Sequence, residues 1–174
     1  MVRLYELHKD PAKFAGKIEV SGWIKTARES KSVGFIELSD GSAFRSVQVV
    51  YDNGAIPQEL VREFNTGAAI TVRGKLILTP EAKQPFEIHA DSIELDGACP
   101  NDYPLQKKRH TLEYLRTIQH LRPKANTFQA VFRVRHVVAM AIHKFFDERG
   151  FLYVHTPIFT GSDCEGAGEM FRVT

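Results

Sequence analysis

Three side chains of the kinds that read an unpaired nucleobase, Phe35, Gln48 and Glu87, fall at alternate, outward positions of three short β-patterned runs. A phenyl ring stacks on a base, while Gln and Glu match the donors and acceptors on Watson–Crick edges that only single strands expose. Glu accepts well from guanine N1–H and N2–H₂. Arg28, on the polar stretch before Phe35, can neutralise a phosphate. The same residues also fit a plain surface, with Phe35 capping a barrel end and Arg28, Gln48 and Glu87 solvated. A second run of small and acidic residues, from Gly161 to Phe171, holds Ser162, Glu165 and Glu169.

These side chains need elements to aim them. Residues 17–96 read as short strands parted by turn residues. Strands are expected at 18–27, 35–39, 45–51, 69–78 and 85–95, and a short helix at 57–64 has Pro57 in its first turn and Gly67 beyond its end. Asp40-Gly41 and Asn53-Gly54 are turn signals. A strand turns alternate side chains to opposite faces. Ile36 and Leu38 therefore point inward, leaving Phe35 and Glu37 outside; Val47, Val49 and Tyr51 oppose Ser46, Gln48 and Val50; Phe86, Ile88 and Ala90 oppose Glu87, His89 and Asp91. Three strands, a helix and two strands in about 80 residues is the order of an OB-fold, a five-stranded barrel with one open face that often binds oligonucleotides.

The 174 residues carry 23 Lys+Arg and 21 Asp+Glu, 25 % charged and 43 % hydrophobic, which is globular composition and excludes collagen-like or low-complexity chains. The net +2 is uneven: residues 1–100 hold 12 basic and 14 acidic groups, a balance of −2, while 101–174 hold 11 and 7, a balance of +4. Between Tyr103 and Lys124 stand Lys107, Lys108, Arg109, Arg116, Arg122 and Lys124 against Glu113 alone. Such a strip fits either a polyanion partner or a solvated helix face. Pro100, Pro104 and Pro123 make 98–124 the expected linker between an OB-fold domain at 1–97 and a second unit at 125–174. There Asn126, three residues before Gln129, resembles a capping box, and apolar spacing predicts a helix over 127–149, about 34 Å long, stopped at Gly150. A strand-like stretch at 151–155 and Pro157 follow. A long helix and one strand cannot bury both faces alone, so this unit reads as the incomplete start of an α+β domain.

Arg149-Gly150-Phe151, an apolar strand and Pro157 after a long helix resemble motif 1 of the class II aminoacyl-tRNA synthetases. In that family the motif builds the dimer interface, which implies interface roles for Arg149, Gly150, Phe151 and Pro157 in a homodimer. The run Gly161-Ser162-Asp163-Cys164-Glu165-Gly166-Ala167-Gly168-Glu169-Met170-Phe171 resembles the substrate-covering loop of the asparaginyl members, and so does the connector Tyr103-Pro104-Leu105-Gln106-Lys107-Lys108-Arg109-His110. The resemblance covers essentially the whole chain, in the order of the aspartyl/asparaginyl/lysyl subgroup: anticodon-binding OB-fold, hinge, catalytic domain. It implies that Phe35 stacks on the central anticodon base, Gln48 reads that base, and Glu87 approaches the first one, with tRNA(Asn) as partner. It also implies that Glu165, with Ser162 and Glu169, helps hold the amino-acid substrate, a carboxylate suiting an α-ammonium. Motifs 2 and 3, whose arginines clamp ATP, are not found in these residues. The chain alone is therefore expected not to catalyse, whereas a complete enzyme would join asparagine to its tRNA with ATP and Mg²⁺.

Two readings compete with this one: an aspartyl or dual-charging relative, and a non-catalytic OB-fold that binds single strands without base preference. Other motifs carry little. Cys99 and Cys164 form no C-x-x-C pair, so no disulfide framework or thiolate zinc site is expected. The seven histidines show no ligand spacing; His136 and His143, seven apart, suit packing better than metal. Gly166-Ala167-Gly168 lacks the spacing of a dinucleotide loop. No apolar run reaches the ~20 residues of a membrane span, and the charged first ten residues do not resemble a signal peptide, so a cytoplasmic setting is expected.

Overall fold

A computed structural model describes residues 1–82, 84–157, 159, 161 and 171. The chain divides into two compact units, 1–132 and 133–174. In the first, five strands close a barrel in the order β1-β2-β3-β5-β4: β1 (Gly16–Glu29), β2 (Val33–Ser39), β3 (Val47–Asp52), β4 (Ala69–Leu78) and β5 (Phe86–Gly97). All neighbours run antiparallel except β3 and β5, which pair in parallel through Val49↔Ile88 and Val50↔His89. Alternation holds throughout: Ile36, Val49 and Ile88 are wholly buried, and one barrel core gathers these side chains.

The expected boundaries shift where pairing, not side-chain pattern, decides them. β1 extends to Glu29 because Arg28 and Glu29 pair with Phe35 and Gly34, leaving a loop of only Ser30–Ser32. β3 begins at Val47, so Arg45 and Ser46 belong to the preceding loop. The helix α2 shrinks to Gln58–Val61. Gly34 is required where it stands, since a Cβ there would collide with the ring of Tyr51 on the paired strand.

One end of the barrel is closed by a helix that the sequence pattern did not reveal. α1 (Leu4–Lys9) buries Leu4 and Leu7 against the core. Its first-turn amides lack partners within the helix, as at any helix start. The β2–β3 turn supplies them: Asp40 Oδ2 accepts from Leu4 N at 2.8 Å and Ser42 Oγ from Tyr5 N at 2.9 Å.

The connector after the barrel holds a further short helix, α3 (Leu112–Thr117), capped by the Thr111 hydroxyl. Lys124 lies over both Trp23 of β1 and Tyr103, 5.1 and 5.8 Å from the ring centres. α4 (Asn126–Asp147) then runs 22 residues. The expected capping box at its start is not formed. Asn126 is already helical, and its Oδ1 accepts from Lys25 Nζ at 3.1 Å instead.

In the second unit α4 ends in a Schellman motif. Gly150 takes φ +80°, its N–H donates to Asp147 O, and Phe151 N–H reaches back to Phe146 O. These two bonds satisfy carbonyls that a helix end otherwise orphans. The accompanying apolar contact is Phe146 against Phe151, edge-to-face at 5.4 Å. Residues 151–157 form no strand, contrary to the expectation for 151–155: a strand exists only through its ladder, and none of the described residues pairs with this stretch.

Candidate nucleic-acid interface

The outward residues of β2, β3 and β5 converge because the barrel closes β5 directly onto β3. Glu37 lies opposite Gln48 and Phe35 opposite Val50, while the parallel rung Val49↔Ile88 brings Gln48 beside Glu87. Gln48 Nε2 donates to Glu87 Oε2 at 3.1 Å, and His89 Nε2 donates to the other oxygen, Oε1, at 2.7 Å. Phe35, Gln48 and Glu87 are each half-buried, their rims open to solvent. Of the four base- and phosphate-reading candidates, the fourth, Arg28, lies on the same surface, but its guanidinium rests over the Phe35 ring, 4.9 Å from the centroid. The face a base would stack on therefore carries a planar cation in this state, held by a cation–π contact.

Beside these residues Thr26, Arg28, Phe35, Glu37, Gln48 and Lys107 line a depression of about 50 Å³. That is room for a water or two. A base must lie across this surface, not enter it. Lys107 comes from the connector, and sequence reasoning placed it only in a basic strip; its approach to Phe35 depends on how the connector folds back. His89 was legible as outward-facing, since it shares the parity of Glu87, but its bond to Glu87 was not. Lys25, the extra residue where the β1–β2 register shifts, is half-buried near Glu37. Burial pushes its ammonium below the usual lysine range and the Glu37 charge opposes that shift.

The residues expected at a dimer interface have a local duty. Arg149, Gly150 and Phe151 are the helix stop described above, and the Arg149 guanidinium stacks on Phe145 at 3.7 Å while donating to the Phe145 carbonyl at 3.0 Å. Pro157 lies in the irregular stretch that follows. An apolar groove of about 630 Å³ runs between α4 and residues 151–154, lined by Met140, Phe146, Phe151 and Leu152 among others. Ser162, Glu165 and Glu169, with Cys164, lie outside the described residues. Among the described residues no cluster of three or more His, Cys, Asp or Glu side chains is placed to hold a metal. No described helix is long and apolar enough to cross a membrane.

A closed five-stranded barrel with an aromatic, an amide and a carboxylate on one face defines a nucleic-acid-binding OB-fold, and the family model described as "OB-fold nucleic acid binding domain" matches residues 18–96. A second model, "tRNA synthetases class II (D, K and N)", matches 111–174. The two matches follow one another along the chain, OB-fold first and synthetase domain second, and the similar proteins are asparagine–tRNA ligases, to whose N-terminal part the chain corresponds. The asparagine–tRNA ligase of Clostridium acetobutylicum is 58 % identical over 174 residues, 99 % of this chain and 38 % of that protein. That of Bacillus cereus is 59 % identical over 169 residues, 97 % of this chain and 36 % of the relative. The chain thus spans little more than a third of the length of these relatives. Among solved structures, asparaginyl-tRNA synthetase from Pyrococcus horikoshii, complexed with asparaginyl-adenylate, superposes with a TM-score of 0.77 over 89 % of this chain and 36 % of that one. At 20 % identity this likeness speaks for the fold alone.

Proposed function

We propose that this chain reads the anticodon of tRNA(Asn) as the N-terminal part of an asparagine–tRNA ligase. One observation carries the reading: Phe35, Gln48 and Glu87 share one face, with Gln48 and Glu87 joined at 3.1 Å. Phe35 offers the stacking platform, Gln48 reads the central base, Glu87 approaches the first base, and Arg28 swings from the ring to a phosphate when a base arrives. The connector 98–124, rich in Lys and Arg, acts as a basic hinge along the tRNA and separates the domains 1–97 and 125–174. In the complete protein, which works in the cytoplasm, asparagine would be activated with ATP and Mg²⁺ at a site built mostly from residues beyond these. Glu165, with Ser162 and Glu169, contributes to holding the amino acid's ammonium. α4 and the Arg149–Pro157 segment supply the contact of a homodimer.

The test is a fluorescence titration of the chain with a 17-nucleotide anticodon stem-loop bearing GUU against one with the central U replaced, at about 0.15 M salt. A wrong contacted base is expected to cost on the order of 1–3 kcal/mol, or roughly tenfold and more. Equal affinity for both, varying only with salt, would mark a binder of single strands without base preference.

A further inference from the structure

The bonds around Glu87 give His89 a part in base choice. An ionised carboxylate only accepts hydrogen bonds, so the amide atom of Gln48 that faces Glu87 Oε2 at 3.1 Å is its NH₂ group. The amide oxygen is then the atom left to face a base. By the same rule the His89 Nε2 at 2.7 Å from Oε1 carries a hydrogen. Glu87 is thus gripped through both oxygens, and its side chain keeps 21 % exposure against 47 % for His89. The backbone fixes where His89 starts from. At Gly74 the β4 main chain passes so close that a Cβ would overlap the His89 carbonyl, at a register shift where Arg73 pairs with Ser92 but Gly74 with Ala90.

We propose that His89 is a specificity-determining positioning residue: through Glu87 it locks the Gln48 amide with its oxygen outward. The proposal rests on the base-reading role given above to Gln48. An outward oxygen accepts from a ring N–H, present on uracil N3 and guanine N1, and repels the bare ring nitrogen of cytosine N3 or adenine N1. With Glu87 unsupported, the amide turns over freely and its NH₂ group satisfies cytosine as readily as its oxygen satisfies uracil. His89 itself touches no base.

Stem-loops bearing GUU and GCU are titrated against the full 174-residue chain and its His89→Ala, His89→Gln and Glu87→Gln variants, each checked for an unchanged melting midpoint. His89→Ala is expected to cut the U-over-C preference about three- to tenfold, the worth of one hydrogen bond, mainly by tightening GCU. His89→Gln, which can still donate to Glu87, restores most of the preference, and Glu87→Gln abolishes it. A His89→Ala protein with wild-type preference overturns the role of His89 alone. An equal loss on both stem-loops also overturns it, because that marks a general contact with the RNA. No preference in the wild type overturns the base-reading proposal itself, and this role with it.

Discussion

The barrel and α4 use the same apolar residue types to opposite ends. In the barrel Val20, Ile36, Val49 and Ile88 have no exposed surface. On α4 no residue is buried: Val134 and Val137 remain 62 and 63 % exposed, and Met140, Ile142, Phe145 and Phe146 about half so. A closed sheet supplies both walls of its own core, whereas a lone amphipathic helix owns one wall and must find the other. In the proposed homodimer a second subunit supplies that wall. The proposed functions divide the same way, since the residues proposed to read bases lie on the barrel while those proposed to hold the amino acid belong to the second unit.

The sharpest way to break this contrast is a pair of matched truncations. Ile36→Ala should lower unfolding stability by about 2–5 kcal/mol, through lost burial and the cavity left behind. Val137→Ala should stay within about 0.5 kcal/mol while weakening self-association seen by sedimentation. Equal costs in denaturant titrations would mean that α4 is packed within the chain after all. A slightly smaller effect comes from Tyr51, whose ring fills the barrel beneath Gly34. Burial, helped by the Glu29 charge, pushes its hydroxyl up to about 12 from 10.0. A raised pKa favours the protonated form in the folded state, so this stabilisation is whole below pH 10 and disappears as pH rises towards 12. The melting midpoint of the wild type should therefore drop across that window by the equivalent of on the order of 2–3 kcal/mol, and Tyr51→Phe should flatten the drop.

Phe35→Ala should cost about 1–3 kcal/mol in affinity for the stem-loop and leave the melting midpoint alone, because the ring lies on the surface. A mutant that melts early would make Phe35 part of the core. The smallest effect belongs to α4. Gly150→Ala places a Cβ at φ +80° and should cost about 1 kcal/mol, read as fraying of the last helical turn by amide exchange, with barrel amides unchanged.

What was legible in the sequence follows the reach of each signal. Period-two alternation around Ile36, Val49 and Ile88 is local, so the strands and the outward set Phe35, Gln48 and Glu87 could be read from neighbours in the chain. Gly150 announced the helix stop for the same reason. α1 escaped because its cap is Asp40, 36 positions away, and six residues carry too little periodicity to register. The polar Arg28 and Glu29 were read as loop, yet their backbones complete the β1–β2 ladder whatever their side chains. The 151–155 stretch failed in the opposite sense: a continuous apolar run promises a strand, but only a partner makes one. The grip of His89 and Gln48 on Glu87 needed the β3–β5 pairing, which no local pattern encodes.

That pairing has a consequence in time. The barrel is sealed by a parallel seam of two rungs, Val49↔Ile88 and Val50↔His89, joining segments some 39 residues apart. Loop-closure entropy must be met before such distant contacts reward it, so the seam is expected to form late, after the β1–β2–β3 meander and the β4–β5 hairpin. On a ribosome, residues 35 and 48 emerge well before 87 and 89. The nascent chain therefore carries Phe35 and Gln48 before it has the residues that complete the proposed base-reading surface.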